Sequence, residues 1–423
     1  MQSRSSFVSL FTLAALFVSG LFFVFRPQLL QASNLNSAKF PHYKIEVSYD
    51  HDKTLLVGKM QVRFTRKAYP HDELLFALPG NRFLVPDERG IRKHKIVPVF
   101  SLNRFQDNLE DPKSPTGFSP GNLEITSVNS FDPQSATAQR QLTYKLEENP
   151  ELEVGYSTSR GLLRIILPKD LPETKGFPGE STIQLEFSTK FPEHAQEGTV
   201  NGMLLTANWH PKLLSWQADQ TVKEKGWATS GNNPSPATFE VSWKAAQAGI
   251  LITTPGNYNL SARQEITLPV TKKPLKKFPL IFSKVHQQYA GKSGVDVSAE
   301  KSVQFSAKGG TQLTSFYLKG HERRAELLHN WTASFLEFMQ TRYGLKSPWK
   351  SIRIVAVEAE YEQVDVINNL VLVPLPNYKR AELMDRQALG FLTRRLAQLW
   401  FGESVWSNED TQQWLNLGLP AFM

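Results

Sequence analysis

Residues 393–422 read TRRLAQLWFGESVWSNEDTQQWLNLGLPAF, and the rest of the chain is organised around them. The spacing predicts two short helices with a turn between them. The first places Leu396, Leu399 and Trp400 on one stripe and stops at Gly402. The second opens at Ser407, with Asp410 three residues on as a capping partner, and runs through Trp414, Leu415 and Leu417.

Trp400-Phe401-Gly402 and Trp414-Leu415-Asn416 with Gly418 resemble the zinc-binding core of the membrane alanyl aminopeptidase family, the gluzincin aminopeptidases. Its pattern is H-E-x-x-H-x-W-F-G, followed by a third ligand in W-L-N-E-G. The resemblance puts the first ligand position at Arg394, the general base at Arg395, the second ligand at Gln398 and the third at Leu417. The frame is kept while the chemistry is missing. Zinc needs lone pairs from imidazole, thiolate or carboxylate. Arginine has only donors and stays protonated, leucine offers nothing, and glutamine offers a neutral amide oxygen. The motif as spelled is expected to hold no zinc and to activate no water, so the expected catalytic, metal and cofactor residues are none.

Upstream, residues 320–343 predict an amphipathic helix with Leu328, Trp331, Phe335 and Phe338 on one face, ended by Gly344 and Pro348. Ile352–Val357 and Leu370–Val373 read as strands, and residues 380–401 as the helix bearing the vacant motif. The order helix, Tyr-Gly, Pro-Trp-Lys-Ser-Ile-Arg-Ile-Val is similar to the family's entry into its thermolysin-like domain. Between the two strands the family places G-x-M-E-N, whose glutamate grips the substrate amine. Here that segment is EAEYEQVDVINN, with neither the glycine nor Met-Glu. Glu360, Glu362 and Asp365 are its candidate cleft carboxylates; an acidic solvated loop or edge strand is the plainer reading. The family's catalytic tyrosine and closing helices are not found before Met423. The α/β part is therefore expected to lean on the preceding domain, to pair with another chain, or to be a truncated product.

From residue 38 to residue 305 the period is two. Tyr43-x-Ile-x-Val-x-Tyr49, Leu56 to Phe64, Leu74 to Leu78, Leu163 to Leu167, Ile183 to Phe187, Phe239 to Trp243 and Val295 to Val297 alternate between turn residues. This predicts a large antiparallel β-sandwich or saddle. Tyr43–Asp50, Glu73–Asn81, Leu123–Val128 and Ile250–Pro255 are similar, in order, to landmarks of the family's N-terminal domain. Residues 103–121 read as a long surface loop. The expected fold is thus mixed: a β domain over 38–305, then a partial thermolysin-like α/β domain over 313–423.

Residues 7–25, FVSLFTLAALFVSGLFFVF, carry no charge. They are about long enough to cross a bilayer of roughly 30 Å at about 1.5 Å per residue. The segment 1–34 is expected to be an uncleaved membrane anchor, the alternative being a removed signal peptide. Either way the remainder is exported, periplasmic or extracellular.

The 423 residues contain no cysteine, which excludes disulfides, thiolate metal sites and a cysteine nucleophile. The net charge of +8 is spread along the chain without an aromatic-interleaved basic motif, so nucleic acid is not an expected partner. None of the nine histidines lies beyond His329, and no two stand at i, i+2 or i, i+4. His321 and His329 read as exposed polar positions, and Trp209-His210-Pro211 as an aromatic-packed turn. No G-x-S-x-G elbow occurs, and Gly291-Lys292-Ser293 lacks the rest of a phosphate loop.

The resemblance and its missing donors together imply a non-catalytic, exported or membrane-anchored protein whose cleft binds a peptide or protein partner. Arg394 and Arg395 would offer fixed positive charge to an acidic ligand or a C-terminal carboxylate. Ion pairing with Glu360, Glu362 or Glu409 is the plainer role for them. Two alternatives stay open: an active zinc aminopeptidase with diverged ligands, and an interrupted gene product.

Overall fold

The computed structural model describes residues 40–69, 72–84, 120–131, 140–148, 160–193, 198–217, 226–227, 234–289, 311–357, 364–382 and 386–401. The chain divides into two units, Met1–Phe40 and Pro41–Met423. Of the first, only Phe40 is described, so the apolar segment 7–25 lies outside the described residues. Among those residues, no helix is long and apolar enough to cross a membrane.

The alternation that begins at Tyr43 becomes β1 (His42–Asp50), which buries Tyr43, Ile45, Val47 and Tyr49 and turns Lys44, Glu46 and Ser48 outward. β2 (Leu55–Thr65) buries Leu56, Gly58, Met60, Val62 and Phe64. The two pair antiparallel with Ile45 opposite Met60 and Val47 opposite Gly58. They sit in a six-stranded sheet ordered β16 (Glu265–Thr267), β13 (Thr238–Ala245), β1, β2, β7 (Glu180–Lys190), β4 (Asn122–Ser130). Gly58 pairs with Phe187 of β7. A Cβ at Gly58 would stand 2.6 Å from the Phe187 ring, so a larger residue here would have to displace that ring or the strand. The sheet is not antiparallel throughout, as the sequence suggested: β1 and β13 run parallel, Ile45 beside Val241 and Val47 beside Trp243. Strand alternation fixes which residues are buried and carries no information on pairing direction.

A four-stranded sheet follows the order β10 (Lys212–Leu213), β3 (Glu73–Ala77), β6 (Leu162–Ile166), β5 (Tyr144–Glu147). β11 (Trp216–Gln217) and β12 (Gly226–Trp227) form a small ribbon. A five-stranded sheet runs β15 (Asn257–Leu260), β14 (Gly249–Thr253), β17 (Leu280–Ser283), β9 (Met203–Thr206), β8 (Gly198–Val200). Trp209-His210-Pro211 is the expected aromatic turn: Trp209 is fully buried, donates Nε1–H to the Phe278 carbonyl at 2.7 Å, and carries the His210 ring against it.

The remaining sheet is ordered β18 (His286–Tyr289), β19 (Gln312–Leu318), β20 (Ser351–Val357), β22 (Leu370–Pro374), β21 (Asp365–Ile367), with a parallel centre and antiparallel edges. The parallel step from β19 to β20 is made by helix α1 (Glu322–Tyr343). The helix stops at Gly344, in the left-handed conformation at φ 67°, whose N–H bonds the Gln340 carbonyl while that of Leu345 bonds Met339. β20 is buried on both faces, which is why SIRIVAV is nearly continuous in apolar residues. Ile352, Ile354 and Ala356 pack with the helices. Val355 and Val357, with Phe316, Leu370 and Leu372, pack on Met203, Leu205, Ile252 and Ile281. The α/β sheet therefore leans on the β9–β14–β17 face.

Two expectations for α1 fail. Phe338 is 46% exposed, and Met339 is the buried residue. His329 is buried rather than exposed, and it bonds Ser315 Oγ through Nδ1 at 3.1 Å. A row at three- and four-residue steps drifts around a helix, so its C-terminal member need not share the buried face. Of the helix expected over 380–401, two stretches are described: the end of α2 (Leu375–Glu382), which opens directly after β22 with Pro376 in its first turn, and α3 (Arg386–Phe401), residues 383–385 lying outside the described residues.

Candidate functional site

α3 carries the part of the motif that is described. Its buried side consists of Leu389, Leu392, Leu396, Ala397, Leu399 and Trp400. Trp400 meets the Phe335 ring edge-on, with centroids 6.2 Å apart, and donates Nε1–H to the Lys346 carbonyl at 2.8 Å. Trp331 of α1 donates Nε1–H to Thr393 Oγ1 at 3.4 Å, and that hydroxyl in turn bonds the Leu389 carbonyl at 2.8 Å. Trp400 of the motif, together with Trp331 of α1, thus fixes α3 against α1 and against the segment entering β20.

Arg394, Arg395 and Gln398 lie on the opposite side. Arg394 is exposed, while Arg395 and Gln398 are half-buried. Arg395 Nη1 donates to Gln398 Oε1 at 3.3 Å. The oxygen of this set that could approach a cation is thereby turned to a guanidinium. Asp365 opens the edge strand β21, half-buried and opposite Leu372. Leu417, Glu360, Glu362 and Glu409 lie outside the described residues, as do the second helix expected from Ser407 and the strand expected at Val295–Val297. Among the described residues, no three His, Asp or Glu side chains converge as a metal site.

The buried imidazoles act as structural ties. His286 Nε2 bonds the Ala356 carbonyl at 2.6 Å and Nδ1 bonds Ser283 Oγ at 2.6 Å, joining the two sheets. Burial holds His329 down to about 4, His210 to about 3, and His286 below its usual range.

One polar cluster went unnoticed in the sequence. Arg353 of β20 and Asn368 and Asn369 of the β21–β22 turn all reach the turn after β14. Arg353 Nη1 and Asn369 Nδ2 donate to the Thr254 carbonyl at 3.2 and 3.1 Å, and Asn368 Nδ2 donates to Thr254 Oγ1 at 3.0 Å. A charged residue inside an apolar strand was the signal that could have found it.

No family model matches the chain, and no curated protein matches it. Solved structures do. A crystal structure of a mutant M1 zinc metallopeptidase from Deinococcus radiodurans, bound to a Tyr-Ser-Ala substrate, superposes with a TM-score of 0.51 at 11% identity, covering 90% of this chain and 68% of that one. A further structure of that mutant gives 0.48 at 11% identity, with the same coverage. At this identity the likeness is one of architecture: this chain is built on the fold of the M1 zinc metallopeptidases.

Proposed function

We propose that the chain is a non-catalytic relative of the M1 aminopeptidases that binds a peptide or protein partner without cutting it. The observation that carries this reading is the hydrogen bond from Arg395 to Gln398, with Arg394 exposed beside it. When the chain is aligned on Trp400-Phe401-Gly402, these residues occupy the places of the family's base and two of its ligands. They do not fit zinc. A guanidinium has no lone pair to give and repels a dication, and the neutral Gln398 oxygen is turned to that guanidinium.

In this reading Arg394 and Arg395 take an acidic side chain or a C-terminal carboxylate, for which a guanidinium fork is well shaped. The apolar run 7–25 supports a membrane-anchored protein with residues 38–423 exported, or a secreted one if that run is removed. The test is metal analysis of the purified protein with an aminoacyl-p-nitroanilide assay, alongside fluorescence-anisotropy titration with a peptide bearing an acidic tail. The expected result is no stoichiometric zinc, intact anilide, and peptide binding that weakens with salt. Stoichiometric zinc removable by chelator, with hydrolysis lost alongside it, overturns the reading in favour of an active aminopeptidase. Zinc-free protein that binds no peptide points to an interrupted gene product.

A further inference from the structure

β20 holds a single charge, Arg353, in an otherwise apolar run. By strand alternation it shares the face of Val355 and Val357, which pack against the β9–β14–β17 sheet. Only 6% of Arg353 is exposed. Its hydrogen-bond partners are neutral oxygens: Nε donates to Asn257 Oδ1 at 3.3 Å and Nη1 to the Thr254 carbonyl at 3.2 Å. No carboxylate lies within ion-pair distance of it among the described residues, and Nη2 has no hydrogen bond to any of them.

Neutral acceptors satisfy N–H groups but do not neutralise a cation, and a buried unpaired charge is among the costliest things a fold can hold. That cost shows as the loss of basicity that burial imposes, down to about 10. A leucine or methionine would fill the same face without it. The neighbouring side chains also carry donors. Asn257 turns its oxygen to Arg353, which leaves its amide N–H₂ to donate elsewhere. The Tyr258 hydroxyl is close enough to feel the Arg353 charge, and it folds over the turn where Gly256 leaves room: a Cβ at Gly256 would stand 2.6 Å from that oxygen.

We propose that Arg353, with the Asn257 amide and the Tyr258 hydroxyl, forms a carboxylate-binding site at the seam between the β14–β15 turn and the α/β sheet. The Nη1–Nη2 edge of a guanidinium matches the two oxygens of a carboxylate. The site is independent of the arginines on α3.

The test uses the full-length purified protein and acetate as probe. Acetate replaces chloride at constant sodium and constant pH, while thermal unfolding and the width of the acetate methyl resonance are followed. The expected result is a saturable rise in Tm and broadening of the acetate signal. Asn257→Asp supplies the carboxylate internally, beside Nε, and leaves the arginine in place. This variant is expected to unfold at a higher temperature without acetate and to lose both responses. Arg353→Met is expected to lose them as well; should it fail to fold, Asn257→Asp decides alone. No saturable response in the unaltered protein, or an equal response in Asn257→Asp, overturns the proposal. Competition by a dipeptide with a free C-terminus, but not by its amide, would identify a peptide terminus as the source of the carboxylate. Failure of both to compete would identify a small free acid.

Discussion

Trp400 and Lys346 are joined by an indole-to-carbonyl hydrogen bond of 2.8 Å that spans 54 residues of chain. It fixes the end of α3 to the segment that enters β20. Trp400→Phe keeps an aromatic ring beside Phe335 but loses the donor and part of the indole's bulk, and should cost about 1–3 kcal/mol. Trp400→Ala also vacates the space beside Phe335 and should cost about 3–5 kcal/mol. Urea unfolding of the two variants separates the bond from the packing.

Gly58 and Phe187 make the opposite kind of test, in which a small addition is harmful. With Phe187 at 2.6 Å from any Cβ and Val47 at 3.0 Å, Gly58→Ala forces the ring or the strand to move. A loss of about 1–3 kcal/mol is expected. The double variant Gly58→Ala with Phe187→Leu should recover part of it, and a double-mutant cycle measures how much.

The pH dependence follows from the buried histidines. Folded His329 and His210 bind protons only near 4 and 3, and His286 is also lowered, whereas the unfolded chain binds them near 6.5. Below 6.5 the unfolded state therefore holds more protons. The stability from these groups is fully present above that pH and falls as pH drops toward 4, at up to about 1.4 kcal/mol per pH unit for each histidine. Denaturant midpoints measured between pH 7 and pH 4 should fall accordingly. His329→Asn, which can still meet Ser315, should make the slope shallower by roughly one histidine's share.

The two neighbours Phe338 and Met339 sort the faces of α1. Phe338 is exposed and touches Tyr343 edge-on, while Met339 is fully buried. Phe338→Ala should change stability by no more than about 0.5 kcal/mol, and Met339→Ala should lose about 2–5 kcal/mol. Chemical denaturation of both in one buffer checks the assignment.

Much of the architecture is legible in the sequence because strand alternation is a local signal. Tyr43 to Tyr49 and Leu56 to Phe64 declare their buried faces residue by residue, and SIRIVAV declares a strand covered on both sides. What alternation cannot carry is partnership. Nothing within β1 says that Val241 and Trp243 will lie beside it in parallel. His329 resisted reading for a similar reason, since its partner Ser315 belongs to another element. The site divides in the same way. The helix expected to carry Arg394, Arg395 and Gln398 is present as α3, because helical periodicity is likewise a local signal. Arg353 acquires its meaning only once Thr254 and Asn257, about a hundred residues earlier, are folded against it.

The parallel pairing of β1 with β13 also sets an order of events at the ribosome. His42 and Thr238 meet across 196 residues. At ordinary elongation rates the first strand waits roughly 10–40 s for its neighbour to be synthesised. During that interval the nascent chain carries Tyr43, Ile45, Val47 and Tyr49 on a strand open along one side, a surface that invites chaperones or aggregation. Early folding intermediates of this protein should therefore lack the β1–β13 pairing, and hydrogen exchange there should become protected later than in the β1–β2 ladder.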